Sequence, residues 1–292
     1  GGGAGVHFKF VSARTWQSRQ EPEVRTLVLS RTWFALYEPT RAGDPAGVAL
    51  VMPGLFNTPE PVIEHLIEQF RKRGWAVLRM MAQPSRFTER TTIRIDPQNL
   101  ESAAERAAAE MQDRVAECAY AAQAAFQHLG AEKPALAKLP CIAVGMSGGA
   151  MTLPSVVALE PQRYAAAVLI AGGADFVTIA LESNYRFMVD SIRFDWPEPP
   201  TDDQQKALAA LYLQRAPLDS FHTAAALKGK PVLMIHGTHD AAVPAHLGDL
   251  LWERLGRPER WSEEAGHEEV FMRLPKKAGD ILDWLDKAIR RE

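Results

Sequence analysis

Five short and almost wholly apolar segments constrain this chain more than any other feature of its sequence. They are residues 46–52, 76–81, 141–146, 165–171 and 231–236. Each is too short and too continuously apolar for an amphipathic helix, and such runs are typical of strands buried on both faces. Residues 25–29 and 32–37 alternate in part, which predicts an antiparallel pair of strands ahead of the first apolar run.

Helical patterns fill the gaps between these runs. Thr58 and Pro59, as an N-cap and a first helical residue, predict a helix over residues 62–73. Apolar residues at steps of three and four predict a long helix that begins at Leu100 and ends at Gly130. Further helices are predicted over residues 150–159, 245–255 and 276–290. Strands that alternate with helices predict an α/β fold, with a single, mostly parallel sheet flanked by helices.

No repeat, linker or low-complexity segment interrupts this pattern, so residues 6–292 are predicted to form a single domain. Residues 1–5 are glycine-rich and lack Met, which indicates a tag or a processed terminus. Residues 172–230 separate two predicted core strands by far more chain than one crossover helix needs. Long excursions in compact domains are usually functional, so this segment predicts a cap or lid. The alternative is an elaborated crossover that packs on the sheet edge.

Composition narrows the classes of function. The chain is 47% hydrophobic and 24% charged, which is typical of a soluble globular protein. Its 33 basic and 36 acidic residues build no strong positive field, so nucleic acid is not expected as a partner. No apolar run approaches the roughly 20 residues of a membrane span. The compartment stays open, cytoplasmic or exported, because a signal peptide could have been removed. Cys118 and Cys141 are expected to be buried free thiols.

The sequence Gly145-Met146-Ser147-Gly148-Gly149 joins a predicted strand to a predicted helix. In a G-x-S-x-G turn of this kind the serine hydroxyl projects above the sheet, and side chains at the outer glycines would collide with the helix or strand. The N–H of Gly148, at the start of the helix, would face a bound carbonyl oxygen. The pattern predicts Ser147 as a nucleophile. A glycine-rich turn with an ordinary capping serine is the alternative.

An acid and a base follow in the order serine, acid, histidine. Asp240 lies in the loop after the predicted strand 231–237. A short strand over residues 260–264 then leads into a loop that contains His267. Asp175, which follows the strand over residues 165–171, is a rival candidate for the acid.

The first apolar strand runs into Pro53-Gly54-Leu55-Phe56-Asn57. An oxyanion hole in this geometry needs a second backbone N–H from the loop after that strand. Leu55 is the first candidate for this donor and Phe56 is the second. Alone, the segment would be interpreted as a plain Pro-Gly turn.

Together, these features resemble the α/β-hydrolase family, in particular its serine esterase, lipase and peptidase branch. The resemblance extends over residues 25–290, and its specific pieces are residues 145–149, 237–244 and 266–267. Many members carry His-Gly where this chain has Pro53-Gly54. Serine at the elbow, in place of aspartate, argues against the branches that resemble haloalkane dehalogenases and epoxide hydrolases. The resemblance implies an α/β-hydrolase fold with a small cap.

The predicted function is hydrolysis of small carboxylic esters through an acyl-enzyme, with no cofactor and no metal. The predicted catalytic residues are Ser147, Asp240 and His267, with Leu55 and Gly148 in the oxyanion hole. The predicted pocket residues are Phe56, Met146, Phe187 and Trp196. Alternatives are an oligopeptidase or aminopeptidase of the same fold, an acyltransferase, and a non-catalytic binding protein. Oligomeric state is not indicated.

Two further clusters invite other interpretations. A metal ion would suit the side chains of His236, His239, Asp240 and His267. Their spacing, however, matches no zincin motif. His236 also lies at the end of an apolar strand, where a histidine buried in the core is expected. The basic residues of the loop over residues 83–95 would suit an acidic substrate group or a solvated loop, and the solvated loop is favoured. They are Arg86, Arg90 and Arg94.

Overall fold

The computed structural model describes residues 6–17, 25–55, 58–185 and 192–289. The strands are β1 (Val6–Gln17), β2 (Arg25–Tyr37), β3 (Gly47–Met52), β4 (Trp75–Met80), β5 (Thr91–Arg94), β6 (Cys141–Met146), β7 (Tyr164–Ile170), β8 (Ile192–Asp195), β9 (Val232–Gly237) and β10 (Glu259–Glu263). Within the described residues, eight of these strands form one sheet in the order β1-β2-β4-β3-β6-β7-β9-β10. β5 and β8 form a separate parallel pair.

The helices are α1 (Glu60–Lys72), α2 (Ser85–Thr88), α3 (Leu100–Glu132), α4 (Pro134–Ala137), α5 (Gly148–Leu159), α6 (Phe176–Glu182), α7 (Asp202–Leu213), α8 (Ser220–Thr223), α9 (Ala245–Arg254) and α10 (His267–Ile289). A 3₁₀ turn over Ala224–Leu227 follows α8. None of the helices in the described residues is both long and apolar enough to cross a lipid bilayer.

In the large sheet, the strands β3, β4, β6, β7, β9 and β10 run parallel. All of them except β10, a partly exposed strand at the sheet edge, are buried on both faces, as the apolar runs predicted. Because alternate side chains of a strand point to opposite faces, each strand feeds two cores. In β3, Val48, Leu50 and Met52 join the core under α3 and α5, whereas Ala49 and Val51 join the core under α1 and α10. The predicted α/β fold, a large sheet flanked by helices, is confirmed.

The first strands differ from the prediction. Residues 25–37 form one continuous strand, β2, and its antiparallel partner is β1, which the sequence analysis overlooked. The predicted break falls at Ser30-Arg31, which offers neither the glycine nor the asparagine that a two-residue hairpin needs. Since β1 and β2 lie antiparallel at one edge, they extend a sheet whose parallel part holds the candidate site.

Three helix boundaries also differ. Helix α10 begins at His267, because the Val270 N–H already bonds to the Gly266 carbonyl at 3.1 Å, and its buried stripe continues through Pro275. Helix α3 continues through Gly130 and ends two residues later. Thr58 does not cap α1, which has no side-chain cap; its hydroxyl accepts the Gly54 N–H instead.

The 172–230 excursion contacts the rest of the fold through several elements, among them β8, α7 and α8. Its strand β8 pairs with β5, and the Ile95 N–H extends this ladder to the Asp195 carbonyl at 2.8 Å. Its helix α7 packs against α3. Between α6 and β8, residues 186–191 lie outside the described part of the chain. Cys118 and Cys141 are buried free thiols, as predicted, and burial raises the pKa of both.

The parallel strands bring four chain segments to one edge of the sheet. β3 ends in the Pro53–Leu55 turn, β6 ends at Ser147, β9 leads to Asp240, and β10 leads to His267. Because the carboxyl ends of parallel strands share an edge, residues far apart in sequence converge there.

Candidate active site

Ser147 lies on a strained turn between β6 and α5. Its backbone has φ 48° and ψ −118°, a conformation that costs a non-glycine residue about 1–3 kcal/mol. The Ser147 N–H donates to the Ile170 carbonyl at 2.8 Å, which ties the turn to β7. The strain is therefore carried by the surrounding sheet, and the side chain stays partly exposed.

The outer glycines of the turn are required by close backbone contacts. A Cβ on Gly145 would lie 2.6 Å from the Gly149 carbonyl oxygen, and a Cβ on Gly149 would lie 2.6 Å from the Pro53 carbonyl oxygen. Both distances are below any real Cβ contact, so no side chain fits at either position. The collisions expected from the sequence are present in the structure.

A continuous chain of hydrogen bonds joins the three residues that the sequence singled out. His267 Nε2 lies 3.0 Å from Ser147 Oγ, and His267 Nδ1 lies 2.7 Å from Asp240 Oδ2. The other carboxylate oxygen of Asp240 accepts the N–H groups of Ala242 and Val243 at 3.0 and 2.8 Å. The carboxylate is thus fixed in orientation and fully shielded from solvent. This arrangement can hold the imidazole in the tautomer that accepts a proton from Ser147.

Two aromatic rings hold the imidazole of His267 edge-on. The Phe271 ring lies 5.2 Å from it and the Tyr185 ring lies 6.0 Å from it, centroid to centroid. Phe271 is one turn further along α10, whereas Tyr185 belongs to the 172–230 excursion. These rings restrict rotation of the imidazole and limit the access of water to it.

Asp175, the rival acid, is engaged elsewhere. Its carboxylate caps α6 by accepting the N–H and hydroxyl of Thr178, and its own N–H donates to Asp219 at 3.0 Å. Burial raises the pKa of Asp175 to about 6, and the nearby charge of Asp219 adds to this rise. Within the described residues, it is Asp240 that bonds to His267, and no bond joins Asp175 to that ring.

The Pro53-Gly54-Leu55 turn lies against the start of α5. A Cβ on Gly148 would lie only 3.1 Å from the Leu55 nitrogen, so the two backbone segments are in close contact. Within the described residues, neither the Leu55 nor the Gly148 N–H has a hydrogen-bond acceptor. Two neighbouring free N–H groups beside Ser147 suit an oxyanion. Phe56, the second candidate donor, lies outside the described residues.

The predicted pocket residues lie in different surroundings in the structure. The structure does not place Met146 in an open pocket, because its side chain is fully buried in the core under α1 and α10. Trp196 is half-buried and packs against the opposite core. Phe187, like Phe56, lies outside the described residues.

The predicted 83–95 loop contains helix α2 and strand β5, and its three arginines differ in their surroundings. Arg86 forms ion pairs with Glu89 at 2.7 Å and with Glu110 at 3.6 Å, so its charge is neutralised by side chains of the protein. Arg90 and Arg94 are exposed. The prediction of a solvated loop therefore fits Arg90 and Arg94 and is wrong for Arg86, because packing of α2 brings Arg86 against acidic side chains of the protein.

His236 is a core histidine. Its side chain is fully buried against the Gly248 backbone, and neither ring nitrogen has a hydrogen-bond partner within the described residues. Burial lowers the pKa of His236; the charges of Asp240, Arg260 and Asp249 also act on it. Among the described residues, no three His, Cys, Asp or Glu side chains are grouped to hold a metal ion.

This burial predicts a pH-dependent contribution to stability. A histidine titrates near pH 6.5 in the unfolded chain, so the unfolded state binds its proton first as the pH falls. The contribution of His236 to the free energy of unfolding should be constant above about pH 6.5 and should become unfavourable below it. Between pH 7.5 and 5.5, the free energy of unfolding should therefore change less unfavourably in His236→Leu than in the wild type, as measured by urea unfolding. His7→Gln, which replaces an exposed histidine, is the control. An equal change in the free energy of unfolding between the two pH values in His236→Leu and the wild type would contradict the prediction.

Sequence reasoning missed Gln83. Its buried side chain donates from Nε2 to the Pro53 carbonyl at 2.7 Å, two residues before Leu55. No motif marks this glutamine, because the contact joins positions on two different strand ends. Tyr185 was noted only as one aromatic residue of the excursion, and its position beside His267 follows from the fold alone.

Comparison with known proteins places these features in context. Residues 115–289 match the model of the prolyl oligopeptidase family. Over 54 residues, which are 18% of this chain and 47% of the other protein, the sequence is 35% identical to the uncharacterised protein YdjC of Bacillus subtilis (strain 168). The chain thus matches about half the length of that curated relative.

Solved structures are similar over most of the chain. Est1E from Butyrivibrio proteoclasticus has a TM-score of 0.53 at 14% identity, with 94% of this chain and 99% of that chain covered. The Pyrococcus furiosus esterase Pf2001 has a TM-score of 0.56 at 14% identity, with 96% and 93% covered. The Pyrococcus horikoshii acylaminoacyl peptidase has a TM-score of 0.60 at 12% identity, with 99% and 42% covered, so this chain spans less than half of it. At these identities the likeness establishes the α/β-hydrolase fold.

Proposed function

The chain belongs to the prolyl oligopeptidase family and is a serine hydrolase of the α/β-hydrolase fold, and from this premise we propose that it cleaves carboxylic esters through an acyl-enzyme on Ser147. The observation that carries the proposal is the hydrogen-bonded chain from Ser147 through His267 to Asp240. A nucleophile, a base and an orienting acid within hydrogen-bond reach are the arrangement that acyl transfer needs.

The proposed reaction has two halves. Neutral His267 takes the proton of Ser147 as its Oγ attacks the acyl carbon, and Asp240 stabilises the resulting imidazolium. The N–H groups of Leu55 and Gly148 bind the oxyanion, and such a donor is worth about 3–4 kcal/mol of the barrier. His267 then protonates the leaving alkoxide, which departs as the alcohol. Water attacks the acyl-enzyme by the same route, so the acid is released and Ser147 regains its proton.

Esters are favoured over peptides by the extent of the structural matches. The esterases Est1E and Pf2001 are matched over more than nine-tenths of their own chains, whereas the acylaminoacyl peptidase is matched over 42% of its chain. The family match keeps peptide hydrolysis as the second candidate, since the family is named for an oligopeptidase. The substrate class we propose is a small ester.

We assign residues 6–292 to one domain in which residues 172–230 act as a cap. Tyr185 supports this role, because it brings the excursion into contact with the imidazole of His267. The Asn184 N–H also donates to the Ala241 carbonyl at 2.9 Å, which fastens this part of the excursion to the loop that carries Asp240. Substrate selection would then depend on side chains of this segment.

A matched panel of substrates tests the proposal. Wild-type protein is expected to hydrolyse p-nitrophenyl esters and to react with a fluorophosphonate probe, while the p-nitroanilides of the same acyl groups and of amino acids remain uncleaved. Faster turnover of aminoacyl anilides than of esters would favour the peptidase. No ester or anilide turnover together with no labelling would favour a non-catalytic protein. Transfer of the acyl group to an added alcohol, where hydrolysis would transfer it to water, would indicate an acyltransferase.

A further inference from the structure

A buried glutamine lies directly beneath the oxyanion turn. Gln83 is 3% exposed, and its Nε2 donates to the Pro53 carbonyl at 2.7 Å. Its Oε1 accepts a hydrogen bond from the Cys118 thiol on α3 at 3.1 Å. Both ends of the amide are therefore engaged, so its position and orientation are determined by two elements that are far apart in sequence.

The contacts of Gln83 extend toward the helix that follows the nucleophile. Thr152, on α5, lies beside the Cys118 thiol that donates to Gln83. The Thr152 hydroxyl donates to the Gly149 carbonyl at 3.3 Å. Gln83 and Cys118 therefore lie next to both segments that supply the proposed oxyanion donors, the turn after β3 and the first turn of α5.

The Pro53 carbonyl lies between these segments. On one side it accepts the Gln83 amide, and on the other it packs so closely on Gly149 that a Cβ there would lie 2.6 Å away. The same peptide group is held on its other side by the Gly54 N–H, which donates to the Thr58 hydroxyl at 3.1 Å. The Leu55 N–H belongs to the next peptide, joined through the Gly54 Cα, so a rotation of the Pro53–Gly54 peptide would move the Leu55 N–H away from the Gly148 N–H.

We propose that Gln83 is a positioning residue for the oxyanion hole. Gln83 holds the Pro53 carbonyl, and through it the turn, so that the Leu55 N–H points at the developing oxyanion. The inference rests on the proposed function of this site. Gln83 does not touch the substrate. It acts through the Pro53-Gly54-Leu55 turn, and no other side chain in the described residues donates to the Pro53 carbonyl.

The expected effect follows from the geometry of oxyanion donors. Such donors act at 2.7–3.1 Å from the oxyanion, and a misplacement of about 1 Å can cost about 100-fold in rate. Gln83→Leu keeps a similar volume but removes both hydrogen bonds. We expect kcat for a p-nitrophenyl ester to fall about 10- to 100-fold while KM changes less than about two-fold.

A transition-state analogue separates positioning from a general loss of structure. An alkyl trifluoromethyl ketone forms a tetrahedral adduct with the serine hydroxyl and places its oxyanion in the hole, so its inhibition constant reports on the donors. Gln83→Leu is expected to weaken this inhibitor by the same factor by which it lowers kcat. The matched control is Gln112→Leu, since Gln112 also donates from Nε2 to a backbone carbonyl, that of Arg215, at 2.9 Å. The control should keep the wild-type kcat and inhibition constant even where its stability falls.

The outcomes are distinct. Wild-type kcat and wild-type inhibition by the ketone in Gln83→Leu would overturn the inference. Should Gln83→Leu fail to fold, Cys118→Ala and Cys118→Ser provide the test, because only serine retains a donor for Gln83 Oε1. Weaker inhibition in the alanine variant than in the serine variant supports the inference, and equal inhibition in both overturns it. Persistent hydrolysis by Ser147→Ala would instead refute the proposed function, whereas loss of activity there with full activity in Gln83→Leu refutes only the role of Gln83.

Discussion

Replacement of Ser147 by alanine is expected to lower kcat for ester hydrolysis by about 10⁶-fold and to abolish labelling by a fluorophosphonate probe. The variant loses the only hydroxyl that the structure places at 3.0 Å from His267 Nε2 within the described residues. Without it no acyl-enzyme can form, and the oxyanion donors can assist only the direct attack of water. Steady-state assays at high enzyme concentration, with the probe run in parallel, measure both effects.

Ser155→Ala is the matched control for this experiment. Ser155 is a buried serine on α5, and its hydroxyl donates to the Leu218 carbonyl at 2.9 Å and contacts the Thr223 hydroxyl at 3.1 Å. Its removal should destabilise the protein by about 1 kcal/mol and leave kcat and labelling at wild-type values. Labelling of Ser147→Ala equal to that of the wild type would show that another residue is the nucleophile.

Replacement of Asp240 by asparagine is expected to lower kcat by about 10⁴-fold. One carboxylate oxygen already accepts the N–H groups of Ala242 and Val243, so the amide oxygen of asparagine would take that place. The amide NH₂ would then face His267 Nδ1 and donate to it. This forces the imidazole proton onto Nε2, where it faces Ser147 and prevents His267 from acting as a base. The pH–rate profile and kcat of the variant measure the loss.

Asp175→Asn is the matched control, since it makes the same substitution at the rival acid. Its activity should stay near that of the wild type. A carboxyl whose pKa is raised to about 6 in the fold contributes stability below its unfolded pKa, and this contribution is lost as the pH rises through about 6. At pH 8 the ionised side chain therefore opposes folding, and asparagine should raise the free energy of unfolding by about 1–3 kcal/mol. This gain should vanish near pH 4.

Comparison of the two asparagine variants decides the acid. Activity lost in Asp175→Asn and kept in Asp240→Asn would reverse the assignment. Urea unfolding of both variants at pH 8 separates a loss of catalysis from a loss of folding, because Asp175→Asn is expected to be the more stable of the two.

Most of the fold was predictable because buried parallel strands leave a strong local signal. Residues 141–146, which form β6, are apolar at every position, and the structure buries them on both faces. The hairpin expected within residues 25–37 was wrong, since only pairing with β1 shows that the strand continues through Ser30. The helix predicted over residues 276–290 begins at His267 instead, because buried residues on both sides of Pro275 form one stripe. Burial of this stripe outweighed the local breaker Pro275. Gly130, the predicted end of the long helix, lies inside α3, which continues for two exposed residues to Glu132.

Some residues of the candidate site could also be predicted from the sequence, whereas others could not. Ser147 could be found in a five-residue motif, and Asp240 and His267 could be found by their order after particular strands, because those signals are local. Gln83 could not be found, since its contact with Pro53 depends on how β3 and β4 end beside each other.

The sequence alone therefore determined the layers of the fold and the residue types at the strand ends, because the hydrophobic period and the glycine turn act over a few neighbouring residues. Only the tertiary structure decided which carboxylate bonds to His267 and which side chains support the Leu55 N–H. Hydrogen bonds are directional and short, so they exist only where packing brings the partners within about 3 Å. That distance is a property of the assembled sheet and helices, and no local pattern encodes it.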